Sequence, residues 1–271
     1  MKALSGTNWG LEKETLLTTY KATGRSLLNY GCPIWSPGLS ETNWGELQVA
    51  QNNALRVATG CVKMTAVSHL HHETKVMPVK DHCHMLSKQF LLATTQQTHP
   101  NACNLDAQPP ARQMRETLVS KFGKDVADFS VSNLDQKSAA EQVKLHTKSI
   151  HTSCVKQTLN SLSPNKVTKT KPPEINSEEK LLPRTTRSTL AQLRSGYSSS
   201  LNSFLSRCFP SKYSNTCPNC GQSPHDTAHL FKCPSKPTHL TLESLWDSPK
   251  DVATFLGLDA GDGPGLLDDN D

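Results

Sequence analysis

The sequence predicts a mainly α-helical chain, with a helical N-terminal region, a flexible basic connector and a small helical module closed around a metal. Three observations predict it. Apolar residues recur at helical rather than alternating spacing. Cys217, Cys220, His229 and Cys233 have the spacing of a four-ligand site. Only 35% of the 271 residues are hydrophobic and the mean hydropathy is −0.51, which assigns part of the chain to linker or tail. The expected regions are 1–100 (helical), 101–183 (irregular to helical basic connector and linker), 184–258 (helical, with the metal knuckle) and 259–271 (acidic tail, read as disordered).

Taken in order, Leu16, Leu17, Tyr20, Leu27 and Leu28 form a helical run that breaks at Gly31 and Pro33. Asn43, with Glu46 three residues on, reads as the N-cap of a second helix, which carries Trp44, Leu47, Ala54 and Val57 and stops at Gly60. Pro78 suits a first helical position, and Val79, Cys83, Leu86 and Phe90 follow as an i, i+4, i+7, i+11 stripe. Met114, Leu118 and Phe122 predict a short helix, and Val143, Ile150 and Cys154 another. Residues 163–183, with four prolines and many charges, read as loop. Thr189 and Gln192 look like a helix start, with Leu190, Leu193, Leu201, Phe204 and Leu205 as apolar faces. Leu242, Leu245 and Trp246 predict one short helix. Val252, Phe255, Leu256 and Leu258 predict another, opened by Ser248, Pro249 and Asp251.

The segment CPNCGQSPHDTAHLFKCP carries the chemistry. A C-x2-C pair forms a knuckle that aims two thiolates at one point, and x8 suffices to loop back with a second pair. That pair is His229-x3-Cys233, about one helical turn apart, so imidazole and thiolate share a face. His225 competes, because x4 after Cys220 is where a retroviral-type knuckle places its histidine; such a knuckle also needs Cys at 230, which is Leu230. His225 therefore reads as a cap at a helix start beside Asp226. Four protein ligands leave no open coordination position, so one structural Zn2+ is expected. The histidines at 69, 71, 72, 82 and 84 invite a second metal, but His82 and His84 lie two apart on a helix and diverge, which favours solvated or packing roles. Cys83 reads as core.

From Glu243 onward there are eight acids and one lysine, a net of −7, so with an overall +5 residues 1–242 carry +12. A body this basic favours polyanionic partners. The stretch from Lys144 to Arg187 has nine basic and three acidic residues, and reads either as a phosphate track or as a solvated linker. Around the knuckle, Arg187, Arg194, Arg207, Lys212, Lys232 and Lys236 face one acid, Asp226. Arg187, Arg194, Arg207, Lys212 and Lys232 are the candidate phosphate contacts. Phe209, Tyr213 and Phe231 lie among them, and Tyr213 is the aromatic assigned to nucleic acid. No apolar run reaches the about 20 residues needed to span a bilayer and no leader precedes the first helix, so a soluble intracellular chain is expected, in nucleus or cytoplasm.

The strings KALSGTNWG, ETLLTTYKATGRSLLNYGCPIWSP, ALRVATGC, HLHHETKVMPVKDHCHMLSKQFL and LAQLRSGYSSSLNSFLSR, followed by the knuckle, together resemble the C-terminal part of the reverse transcriptase of jockey-like non-long-terminal-repeat retrotransposons, across roughly residues 2 to 258. The resemblance implies that residues 1 to about 100 are a helical thumb gripping template–primer, that Cys217, Cys220, His229 and Cys233 ligate the C-terminal CCHC knuckle, and that the partner is RNA or an RNA/DNA hybrid. It implies an RNA-directed DNA polymerase only when joined to an upstream palm. Phosphoryl transfer needs carboxylates holding two metal ions, and the hairpin with paired aspartates is not in this sequence. Asp268 and Asp269 have no following strand and read as tail. After Cys233 comes PSKPTHL, not the Pro-Asp and spaced carboxylates of an endonuclease. The competing reading is a zinc-stabilised protein-interaction module, docking a partner through the helices from Leu242 to Leu258; a decayed element fragment is the third.

Overall fold

The structure, a computed structural model, describes residues 2–6, 9–94, 109–127 and 139–258. It is mainly helical, and among the described residues the only β pairing is an isolated bridge between Ser5 and Gly10. The α-helices are α1 Lys13–Tyr20, α2 Ser26–Asn29, α3 Cys32–Trp35, α4 Glu41–Thr59, α5 Val67–Thr74, α6 Val79–Thr94, α7 Pro109–Ala127, α8 Ala139–Ser161, α9 Arg184–Ser195, α10 Asn202–Cys208, α11 Thr227–Leu230, α12 Ser244–Asp247 and α13 Pro249–Leu256. The stretch 259–271, read as an acidic tail, lies outside the described residues.

The chain forms two compact units, each assembled from separated stretches. One comprises Met1–Lys21, Asn52–Lys75 and Leu162–Asp271; the other Ala22–Gln51 and Val76–Ser161. Their boundaries differ from 1–100, 101–183 and 184–258, because α9 closes on residues near the N-terminus as well as on its sequence neighbours.

The unit of 22–51 and 76–161 is held by apolar helix packing. Met77, Met85, Leu91, Leu92, Leu118, Phe122, Val126 and Ile150 form one buried cluster, and Cys32, Trp44, Val79 and Cys83 another. The stripe expected on α6 is thus the packed one, with Val79 and Cys83 buried and Leu86 and Phe90 partly so. Trp44 lies 5.7 Å from Trp35 and meets His84 edge-on at 5.7 Å, which makes His84 a packing residue. Its neutral form is favoured: burial first, then Lys80, Lys121 and Lys88, depress it to about 4. The run from Leu16 to Leu28 is interrupted by a π-type turn, Lys21–Arg25, so Leu27 is 78% exposed instead of joining the stripe. At the start of α4 the capping oxygen belongs to Ser40, which accepts from Asn43 N at 3.3 Å; Asn43 lies inside the first turn.

The other unit is organised by α9, which begins five residues earlier than Thr189 and ends on Gly196 in the left-handed region, φ +74°. Its apolar face, Leu190 and Leu193, enters a core with Leu182, Leu201, Phe204, Phe231, Leu240, Leu245, Trp246, Val252 and Ala253. Its other face carries arginines inward. Arg194 is 0% exposed; it donates to Glu73 at 3.0 Å, to Glu179, and through Nε to Leu245 O at 2.9 Å. Lys13 joins the same carboxylates at 3.1 and 3.6 Å. Burial works to raise Glu73, but Lys13, Arg194 and His69 outweigh it and hold the carboxyl at about 2. Arg187 pairs with Glu12 at 2.8 Å and Glu14 at 2.5 Å, and Arg184 donates to Val57 O at 2.8 Å and Ala58 O at 3.3 Å.

The segment read as a linker contributes to this interior. Asn165 and Glu179 are buried, and Ser177–Leu181 forms a 3-10 turn capped by Asn176. Helix α5 carries three buried histidines, of which His69 bonds Ala191 O at 3.0 Å.

Candidate metal centre

Each ligand is presented by a short, locally determined element. The chain turns at Cys217–Gly221: Gly221 N donates to Cys217 O at 2.9 Å and Cys217 N to Gln222 O at 2.8 Å. Gly221 holds φ +73°, which a side chain would strain. Of the second pair, His229 comes from α11, whose N-cap Asp226 accepts from His229 N at 2.9 Å, and Cys233 from the turn beyond it, because α11 ends at Leu230 and the two ligands do not share one helical face as their spacing predicts. Thr227 Oγ1 donates to Leu193 O at 3.0 Å and fixes this one-turn helix on α9. Phe231, between His229 and Cys233, is buried in the core and stacks on Phe255 at 6.3 Å.

The four ligand atoms lie within 4.8 Å of one another, and among the described residues they are the one group of His, Cys, Asp or Glu side chains gathered closely enough to hold a metal ion. Cys217 Sγ and Cys233 Sγ are 3.8 Å apart, and Cys220 Sγ and His229 Nε2 3.3 Å. A tetrahedron with metal–sulfur bonds of 2.3 Å has an edge of about 3.8 Å, so the sulfur separation already fits a metal at the centre. Cys217 and Cys233 are buried, while Cys220 and His229 are partly exposed. Burial acts to raise the Cys217 thiol, yet backbone N–H groups of Cys220 and Asn219 bring it down to about 6. Burial, and then the sulfurs of Cys217 and Cys233, push Cys220 up against the opposing Gln222 backbone group. Three adjacent thiolates repel, and a central cation removes that repulsion.

His225 is not a ligand. Its Nδ1 accepts from Asn202 N at 3.0 Å, so it caps α10; the cap of α11 is Asp226 alone. What the sequence reading missed at the knuckle is Gly221 and Thr227, and the C-x2-C-G string held the signal for the first.

No protein family, curated protein or solved structure matches this chain.

The candidate phosphate contacts divide in two. Arg187 and Arg194 are 4% and 0% exposed and tied to glutamates, which corrects their assignment: they hold the fold and cannot reach a ligand. Arg207, Lys212 and Lys232 are exposed, and Tyr213 is half-buried with Lys212 Nζ 5.4 Å from its ring centre. Phe209 is 43% exposed and lies 6.3 Å from Tyr213, whereas Phe231 is core. In the helices from Leu242 to Leu258, the apolar residues Leu245, Trp246, Val252 and Ala253 pack into this unit's own core. No described helix is long and apolar enough to cross a membrane.

Proposed function

We propose that this chain is the nucleic-acid-binding C-terminal portion of an RNA-directed DNA polymerase of the jockey-like retrotransposon kind, carrying one structural zinc ion and no polymerase chemistry of its own. The observation that carries the reading is the closed Cys3His set with its basic rim. Three sulfurs and one imidazole in tetrahedral reach suit zinc, and a fully protein-ligated zinc holds structure instead of activating water. Around it Arg207, Lys212, Lys232 and Lys236 are exposed, against a single acid, Asp226, which is engaged in capping α11.

On this reading zinc fixes the turn and α11, Arg207, Lys212 and Lys232 neutralise backbone phosphates, Lys236 being engaged by Phe255 O at 2.6 Å, and Phe209 and Tyr213 offer ring faces to unstacked bases. The partner is RNA or an RNA/DNA hybrid, and polymerisation belongs to a palm on other residues. The test is fluorescence anisotropy of the zinc-loaded chain with labelled RNA and with hybrid. Three phosphate contacts give a salt slope of about −2, so affinity falls about twentyfold between about 50 and 200 mM salt. Charge reversal at Lys212 and Lys232 together weakens binding further. An affinity indifferent to salt and to that double substitution sinks the proposal.

A further inference from the structure

Tyr197 is approached by two exposed cations from separate parts of the sequence. Lys166 Nζ lies 4.2 Å from the centre of its ring and 2.6 Å from its hydroxyl oxygen, and Arg207 Cζ lies 5.5 Å from the same ring centre. The two charges are therefore less than about 10 Å apart. Neither is paired with a carboxylate among the described residues, and like charges held this close create a local potential that favours an anion.

The arrangement is built, not incidental. Asn165 is buried: its Nδ2 donates to Arg194 O at 3.0 Å, and its Oδ1 accepts from Val167 N at 2.8 Å and Thr168 N at 3.1 Å, which fixes the turn carrying Lys166. Gly196 lets that turn approach; a Cβ there would meet Val167 Cγ2 at 3.2 Å. Phe204 meets the Tyr197 ring edge-on at 6.0 Å, and Arg207 Nε donates to Ser203 O at 2.7 Å, which leaves its Nη groups free among the described residues. Lysine can only donate, so the Tyr197 oxygen accepts from Lys166 and its own O–H remains for a ligand. The basic stretch 144–187, open between phosphate track and loose linker on sequence alone, thus holds at least one cation in a fixed place.

We propose that Lys166, Tyr197 and Arg207 form a phosphate clamp that takes one backbone phosphate of a bound nucleic-acid strand, with Lys166 and Arg207 supplying charge and Tyr197 Oη a hydrogen bond. The clamp rests on the nucleic-acid reading above and adds to Arg207 two contacts, Lys166 and Tyr197, that the sequence did not single out.

Two measurements separate the clamp from that reading. Tripolyphosphate is titrated into zinc-loaded full chain with ring-labelled tyrosine, with Tyr197→Phe assigning the resonance. The Tyr197 ring signal moves in the wild type and stays still in Lys166→Ala/Arg207→Ala, whose exposed side chains leave the melting temperature unchanged. A ring signal that does not move, or moves equally in the double variant, overturns the clamp. The second measurement is affinity for a labelled oligouridylate, where each single alanine lowers affinity about five- to tenfold and reduces the salt slope by about 0.7 to 1. If RNA binding ignores Lys166 and Arg207 but falls with Lys212 and Lys232, the clamp is wrong and the nucleic-acid reading stands. If no RNA binds while tripolyphosphate still reports through Lys166 and Arg207, the three residues do bind phosphate, but the nucleic-acid reading fails and the clamp's assignment to a nucleic-acid strand fails with it.

Discussion

In the unit of 22–51 and 76–161 the largest fully buried side chains are Met85, Leu118 and Ile150, whereas in the other unit they are Trp246 and then Arg194. Both interiors are made by helices. The first is filled by the removal of apolar surface from water, which is non-directional and tolerant of similar shapes. The second contains Arg194, Glu73, Glu179 and Lys13 in one buried network and, elsewhere in the same unit, three sulfurs and an imidazole aimed at one point. Charged groups in a low-dielectric interior are favourable only while every partner is present, so this unit gains specificity from directional contacts and is more easily broken at single atoms.

Removing metal is the largest test of that difference. Structural zinc binding is on the order of 10 kcal/mol, comparable to a domain's whole stability. Chelation is expected to abolish hydrogen-exchange protection at Thr227–Phe231 and lower it on α9 through the Thr227–Leu193 bond, while α6 and α7 keep theirs. Slow exchange at Thr227–Phe231 after complete chelation would show that the knuckle folds without its ion.

Next comes Arg194→Met, which leaves Glu73 and Glu179 buried with Lys13 as their remaining cation. Breaking a buried charge pair from one side costs about 3 to 5 kcal/mol, and denaturant titration should read a loss of that size. Acid attacks the same network from the other side. Glu73 is held at about 2 against 4.5 unfolded, so its contribution is present above pH 4.5 and is lost as pH falls toward 2. Stability followed over that range should drop in the wild type and lose this component in Glu73→Gln; a curve indifferent to the substitution would remove Glu73 from the account.

In the apolar unit the matching perturbation is Leu118→Ala, at a site 1% exposed between Phe122, Met85 and their neighbours. A cavity there costs about 2 to 5 kcal/mol, with no step between pH 4.5 and 2 traceable to it. If zinc affinity fell along with stability, the two interiors would not be separable in the way their chemistry suggests.

The same contrast explains what could be read from sequence. Val79 and Cys83 on α6, Leu118 and Phe122 on α7, and Ile150 on α8 were legible because apolar burial repeats at 3.6 residues and needs no distant partner. The metal ligands were legible because all four sit within 17 residues with fixed spacing. Arg187 and Arg194 were not. Their carboxylates at Glu12, Glu14 and Glu73 lie more than 120 residues away in sequence, and Glu179, only 15 residues from Arg194, sits in a stretch that reads as linker, so neither arginine carries a local mark of a buried partner. Helix α5 was missed for a related reason: His69, His71 and His72 occupy buried positions where an apolar stripe would have announced the helix.

The smallest expected effect is at Asp226, and it asks whether the directional unit is sensitive one atom beyond its metal ligands. Asp226→Ala removes the side-chain acceptor of His229 N, and loss of an N-cap costs about 1 kcal/mol. The cap bonds the backbone of His229, not its ring, so the ligand remains and only its placement loosens. α11 is four residues long and has no further turn to hold it, so much of that cost should appear in the metal equilibrium. Competition with a chelator should show zinc affinity reduced by up to about tenfold, since about 1.4 kcal/mol corresponds to a factor of ten. Asp226→Asn, which keeps an acceptor oxygen, should restore most of it. If Ala and Asn bind zinc as tightly as the wild type, α11 is ordered by the Thr227–Leu193 bond and the core packing of Phe231 alone, and the apolar core contributes more to the metal centre than its directional neighbours do.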